Sequence, residues 1–260
     1  MKLVKNLAGQ ALANMRVFLI VVLGFLLAVY AAWMVNAQFG YGYSWLYHAY
    51  DTDQHIAKYA PQNRFRAGFE ATLVVEHKAA FQSIVDSVHD DGKGLADIHY
   101  RSAGKRIPLL HKAEIIHLQD VANLINVLHK LAAVIFLLWL LLIIWYALLI
   151  RKRVGYVRHS ALGLVSVLTI LIVIALVAFM VWGAKAIFYQ LHIMIFPADH
   201  QWFFYYQDSL MSTLMKAPDL FAGIAIQILG LSVVIFIMVG LAFKKVVDFQ
   251  RSSSQHCLDE

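Results

Sequence analysis

Four uninterrupted apolar runs dominate the chain, at residues 17–35, 131–150, 161–184 and 224–243, and none of them contains a formal charge. At about 1.5 Å of rise per helical residue, each is long enough to cross the roughly 30 Å hydrocarbon core of a bilayer. The first run has Lys2, Lys5 and Arg16 before it and Val35, Asn36 and Ala37 after it, the outline of a secretory signal. It exceeds the usual apolar region of about 7 to 15 residues and reads as a retained anchor. The pattern predicts a membrane all-α bundle of four transmembrane helices with an extracytoplasmic α+β cap domain.

The divisions that follow are a cytoplasmic N-terminus with the first helix (1–36), a cap leading into the second helix (37–130), the second helix (131–150), a cytoplasmic link (151–160), the third helix (161–184), an aromatic outer loop with an interfacial helix (185–223), the fourth helix (224–243) and a cytoplasmic tail (244–260). The cap spans 94 residues with ten basic and ten acidic side chains, which is the make-up of a folded domain and too long for a plain loop. Within it, residues 69–76 read as a strand. Phe81, Ile84, Val85 and Val88 recur at helical spacing and stop at Asp91-Gly92, and residues 98–101 and 105–109 flank Ser102-Ala103-Gly104 as a hairpin. From Glu114 the pattern turns helical, with Leu118, Val121, Leu124, Ile125 and Leu128 on one face, and runs unbroken into the second apolar run. Pro197 is placed to stop the outward continuation of the third helix, and Asp208 or Ser209 to cap an amphipathic helix carrying Leu210, Met211, Leu214 and Met215 that Pro218 ends. Gly24, Ala28 and Ala32 recur every four residues in the first helix, a spacing that permits close helix packing.

Composition agrees with the pattern: 61% of the 260 residues are hydrophobic and 15% charged. The formal charge of +6 sits largely on the short segments, with Lys2, Lys5 and Arg16 before the first helix, Arg151, Lys152, Arg153 and Arg158 in the link, and Lys244, Lys245 and Arg251 in the tail. By the positive-inside rule those three segments are cytoplasmic, and the basic balance calls for no nucleic-acid partner. The single cysteine, Cys257, then lies inside, where it forms no intramolecular disulfide and cannot serve as a nucleophile on the outer face. Its neighbours Leu258, Asp259 and Glu260 do not form a prenylation box.

Ten of the twelve histidines fall outside or at the outer interface. No apolar run carries a histidine in its middle, as a haem bundle would need, and no HxxxH pair or HExxH helix is present for zinc. No metal or other cofactor is therefore expected, and an isolated histidine reads as a solvated surface group. His117 and His192 stand apart because the outer ends of the second and third helices are neighbours in a short-linked antiparallel pair, so the two imidazoles are able to meet.

Two stretches carry a family resemblance. His117-Leu118-Gln119-Asp120-Val121, approached through Lys112-Ala113-Glu114-Ile115-Ile116, and Leu191-His192-Ile193-Met194-Ile195-Phe196, followed by Trp202 and Asp208-Ser209-Leu210, resemble the two signature stretches of the Lit family of lipoprotein intramolecular transacylases. The resemblance implies a bacterial inner-membrane acyltransferase with its active site on the outer face. Its reaction would move the sn-2 acyl chain of a diacylglyceryl-modified lipoprotein to the α-amine of the N-terminal cysteine, giving a lyso-form lipoprotein. Its partners would be such lipoproteins and membrane phospholipid, with no obligate protein partner. His117 and His192 would be catalytic, with Glu114, Asp120, Trp202 and Asp208 in support. A neutral imidazole is able to take the proton of an attacking amine, and a second to polarise the ester or protonate the departing alkoxide. Amine and ester belong to one molecule, so no acyl-enzyme is needed.

Several assignments stay open on sequence. Asp120 stands one helical turn from His117 and either orients it or serves as a cap or surface ion pair. Trp202 and its aromatic neighbours either line an acyl or glycerol pocket or form an interfacial belt. Arg64, Arg66, Lys105, Arg106 and Lys112 either bind lipid headgroups or keep the cap soluble. A non-catalytic membrane protein whose outer domain binds a ligand or partner, and a histidine-rich metal-binding membrane protein, are the competing classes. The distance between His117 and His192 discriminates the enzyme from the binding protein, and a metal site would require several histidines or carboxylates converging on one ion.

Overall fold

The computed structural model describes residues 2–151, 174, 177, 181–183 and 185–256. The chain is mostly helical. Its elements are α1 (Lys2–Gln38), α2 (Tyr43–Ala49), α3 (Thr52–Tyr59), α4 (Val74–His89), β1 (His99–Ser102), β2 (Lys105–Pro108), α5 (Lys112–Arg151), α6 (residues 185–195), α7 (Leu210–Met215) and α8 (Asp219–His256). Three described helices are long and apolar enough to cross a membrane: Met15–Gln38, Lys112–Leu149 and Asp219–Ala242. The expected third span, 161–184, lies almost wholly outside the described residues, as do nearly all of the basic link 151–160 and Cys257. α5 is about 60 Å long at about 1.5 Å per residue, twice a hydrocarbon core. Apart from Arg151 at its end, its charged residues Lys112, Glu114, Asp120 and Lys130 all precede the charge-free run 131–150, so the first half of the helix is free to carry polar chemistry.

The chain forms two compact units, one of residues Met1–Val35, Ala132–Ser160 and Ile226–Glu260, the other of Asn36–Leu131 and Ala161–Ala225. In the first, the small-residue stripe of α1 does what its spacing suggests: Ala28 and Ala32 are buried, and a Cβ on Gly24 would stand 3.0 Å from the Trp139 indole nitrogen and 3.7 Å from the Phe236 ring. That indole donates to the Ile20 carbonyl at 3.0 Å, and Phe25 meets Phe236 edge-on at 5.6 Å. Leu137, Leu138 and Leu141 remain at least half exposed, the apolar outer surface expected of a membrane span.

The second unit is a helical cluster with one two-stranded hairpin. β1 and β2 pair antiparallel with Tyr100 opposite Ile107, and Ala103 and Gly104 both take positive φ, the two-residue turn that matches strand twist. The expected strand at 69–76 is instead a 3-10 turn at Phe69–Ala71 followed by the start of α4. Glu76 decides this: its carboxylate accepts the Leu73 N–H at 2.8 Å and caps the helix, while Leu73 and Val75 stay exposed and offer no strand face to bury. α4 ends as expected at Asp90-Asp91-Gly92, where the Gly92 N–H returns to the Ser87 carbonyl at 2.9 Å. Gly92 takes a φ of +80°, where glycine is favoured, and a Cβ there would also push the Gln119 side-chain amide aside.

The predicted interfacial helix is also corrected. α7 is capped by Ser209, as expected, but all six of its residues, Leu210 to Met215, are buried within the protein. It packs on α3 and α4, and Tyr43, stacked on Phe81 at 3.9 Å, donates its hydroxyl to the Leu214 carbonyl at 2.7 Å. A helix with no apolar face left over belongs to the core, not to a bilayer surface.

Nor are all the histidines solvated. His55, His77 and His117 are buried. Thr72 donates its one hydroxyl proton to the Phe69 carbonyl at 2.6 Å, so His77 must donate from Nε2 to the Thr72 oxygen and accept from the Tyr47 hydroxyl at Nδ1, both at 2.8 Å. That geometry fixes a neutral tautomer in the core.

Candidate active site

The site begins with the first turn of α5. Glu114, 1% exposed, accepts the His111 N–H at 2.7 Å on one oxygen. On the other it accepts the Ser209 hydroxyl at 2.5 Å and the Met211 N–H at 3.1 Å. Ser209 in turn accepts the Ser212 N–H at 2.9 Å, capping α7. One carboxylate therefore ties the start of α5 to the start of α7. Burial raises its pKa, while the donors from Ser209, His111 and Met211 work against that rise.

One turn further on, the same buried face of α5 presents His117 and Leu118. His117 lies among Phe196 at 4.9 Å, His192 at 5.9 Å and Phe204 at 6.0 Å between ring centroids. Its Nδ1 is buried with no hydrogen-bond partner. Burial first, and the neighbouring His192 second, lower its pKa to about 4.

α6 supplies the facing imidazole. Phe188, His192 and Phe196 recur every four residues on one face, and Pro197 follows the end of the helix as expected. His192 Nδ1 lies 2.7 Å from the Phe188 carbonyl, which has only acceptor capacity, so Nδ1 carries the proton and the neutral ring keeps its lone pair on Nε2. Phe188 at 4.0 Å, Phe196 at 5.1 Å and Trp202 at 5.1 Å enclose the ring. Burial lowers the His192 pKa, opposed by the bond to Phe188.

The supporting residues divide. Trp202 lies against His192 and so belongs to the site's wall. Asp120 pairs with His200 Nδ1 at 2.6 Å, and that bond raises the His200 pKa. Asp208 holds the Arg64 guanidinium at 3.2 Å, and the Arg64 N–H donates to the Gln207 carbonyl at 2.8 Å, so the pair fastens the aromatic loop to the chain beyond α3. Arg66 donates to the carbonyls of Pro108, Phe65 and Leu110 at 2.7, 3.0 and 3.3 Å, which holds the approach to α5. Lys112 is exposed on the first turn of that helix. Among the described residues no group of three His, Cys, Asp or Glu side chains converges on a point that would hold a metal ion.

Sequence reasoning missed Ser209 as the partner of Glu114 and the aromatic enclosure by Phe188, Phe196 and Phe204. The four-residue recurrence through His192 was the available signal for two of those rings. The Ser209 contact spans 95 residues and has no local signature.

A membrane protein with two aromatic-walled histidines facing each other is thereby defined. Residues 15–218 match the model of the family described as lipoprotein intramolecular transacylase Lit, and the chain belongs to that family. No curated protein and no solved structure matches it. Membership makes the protein a transferase-type membrane enzyme of lipoprotein processing.

Proposed function

We propose that the protein transfers the sn-2 acyl chain of a diacylglyceryl lipoprotein to the α-amine of its N-terminal cysteine, at the outer face of the inner membrane. The observation that carries this reading is the 5.9 Å separation of His117 and His192 inside a wall of aromatic rings. At that separation the two imidazoles are near neighbours, so one ester bound against their edges lies within reach of both. His192 is the general base: its Nδ1 proton is committed to Phe188, so Nε2 is free to accept a proton. His117, kept neutral by burial, is the donor that polarises the carbonyl.

The amine nitrogen attacks the ester carbonyl carbon while His192 Nε2 takes its proton. The carbonyl oxygen gains negative charge opposite the His117 N–H. Collapse breaks the bond between carbonyl carbon and glycerol oxygen, and the protonated His192 returns its proton to that oxygen. The products are an amide and an sn-2 hydroxyl, with no net change in protons and no acyl-enzyme. Trp202, Phe188 and Phe196 exclude water that would otherwise hydrolyse the ester. The unpaired Nδ1 of His117 is a cost of about 1–3 kcal/mol of the kind found where a ligand completes a site.

The test is mass spectrometry of a reporter lipoprotein's N-terminal peptide in cells with and without this protein. The expected product has one acyl chain on the amine and one on glycerol. An unchanged diacylglyceryl peptide would overturn the reading.

A further inference from the structure

A cavity of about 590 Å³ opens beside the histidine pair, lined by Lys185, Tyr189, Phe203 to Gln207, and the turn from Ala217 to Asp219 with Ala222. Its walls are shared with the site. Tyr189 packs on Trp202 at 5.7 Å, and Phe204 also faces His117. The mechanism above uses neither Lys185 nor Asp219.

The cavity carries opposite charges on an aromatic lining. The Lys185 ammonium sits 5.6 Å from the Tyr189 ring centroid, and Lys185 forms no ion pair with any described carboxylate. Asp219 likewise pairs with no described cation within 4.0 Å. Asp219 and Tyr206 line the same cavity, and burial first, then the Asp219 carboxylate, push the Tyr206 phenol up to about 12. The two charges are therefore separately available to a ligand.

Depth in the membrane selects the kind of ligand. Asp219 is the first residue of the apolar span Asp219–Ala242, and Lys185 directly follows the apolar run 161–184. Phe203 and Tyr205 at the rim are 39% and 62% exposed, as interfacial aromatics are. Both chain positions mark the boundary where headgroups lie.

We propose that this cavity binds the headgroup of a zwitterionic phospholipid of the phosphatidylethanolamine class, with Lys185 on the phosphate and Asp219 with the tyrosine faces on the ammonium. A purely anionic lipid would place no cation against Asp219 and the rings, and a cation–π contact worth about 0.5–2 kcal/mol would be lost. The preference concerns lipid retention and not turnover, so it stands or falls separately from the transacylation reading.

The full chain is reconstituted in nanodiscs holding equal phosphatidylethanolamine and phosphatidylglycerol, released into detergent, and its retained lipid is counted by native mass spectrometry. The wild type is expected to keep the ethanolamine lipid in about two- to thirty-fold excess, from that cation–π range. Asp219→Asn should lower the ratio, since only the rings then remain for the ammonium, Asp219→Glu should keep the preference, and Lys185→Gln should lower retention of both lipids. Both positions are exposed, and thermal unfolding checks that the three variants stay folded. An equal ratio in the wild type, or an unchanged ratio in Asp219→Asn, overturns the proposal. So does stoichiometric displacement of the retained lipid by a synthetic diacylglyceryl lipopeptide, which carries an amine but no phosphate and would assign the cavity to the substrate.

Discussion

His192 and His117 are both neutral imidazoles in aromatic surroundings, yet their environments differ by one hydrogen bond. Phe188 holds the Nδ1 proton of His192 and leaves a defined lone pair, whereas His117 has an unpaired buried nitrogen. His192→Ala and His117→Ala are each expected to lower transacylation by on the order of 100- to 10,000-fold, with a double variant scarcely worse than either. A substrate amine titrates near 8, so raising the pH supplies deprotonated nucleophile. That change should partly restore His192→Ala and help His117→Ala less. Measuring product formation by each variant between about pH 7 and pH 9.5 checks it, spanning the amine's ordinary value near 8, and equal restoration would leave base and polariser unassigned. In the wild type, burial lowers the His192 pKa below its ordinary 6.5, so the limb of the pH–rate profile that belongs to this base should lie below 6.5, apart from the limb set by the amine.

Among the elements, the contact between α5 and α7 rests on one carboxylate. Glu114→Ala would leave the Ser209 hydroxyl and the N–H groups of Met211 and His111 without their acceptor, and the expected loss is about 1–3 kcal/mol for each group that water does not reach. Glu114→Gln keeps one acceptor oxygen and should fall between. Thermal unfolding in detergent measures both, and an unaffected Glu114→Ala would mean that the clamp is replaced by water. At the turn after α4, Gly92→Ala combines positive φ with collision into Gln119 and should cost about 1–3 kcal/mol, whereas Gly104→Ala, with open space around its Cβ, bears only the backbone strain. The same unfolding measurement ranks the two.

For the whole molecule, acid sensitivity follows from the buried histidines. Burial, aided by Lys216 and Lys58, lowers His55 from 6.5 to about 4, and burial lowers His77 as well. Such groups bind more protons in the unfolded chain than in the folded one between those values. Their contribution to stability is therefore fully present above 6.5 and is lost as pH falls toward about 4. The unfolding temperature should be flat above 6.5 and decline below it, with a shallower decline in His55→Leu, and an identical decline would remove His55 from the account. The charge bias of the short segments makes a separate prediction at this scale: alkaline phosphatase fused near His89 or Gln207 should be active, and fused near Gly155 or Ser254 inactive. Activity at Gly155 would invert the orientation on which an outer-face site depends.

Hydrophobic run length alone determined that three described helices are able to span a membrane, and period and turn chemistry determined α4 from Phe81 onward, the β1–β2 hairpin and the stop at Pro197. These features are local: a bilayer sets a length, a helix sets a spacing, and a positive-φ turn sets its residues. The two histidine stretches were legible for the same reason, since each lies within one helix. What failed, or stayed open, depended on partners far along the chain. Residues 69–76 carry strand-forming side chains, but Glu76 capping and the lack of a surface for Leu73 and Val75 made them a turn and a helix start. α7 looked amphipathic because burial by α3 and α4 is invisible in six residues. Asp120 could be placed one turn from His117, yet its hydrogen bond goes to His200, 80 residues away, and Glu114 finds Ser209 across 95. Only tertiary packing chooses among such partners, because a carboxylate one turn from an imidazole bonds to whichever donor the folded chain brings within about 3 Å.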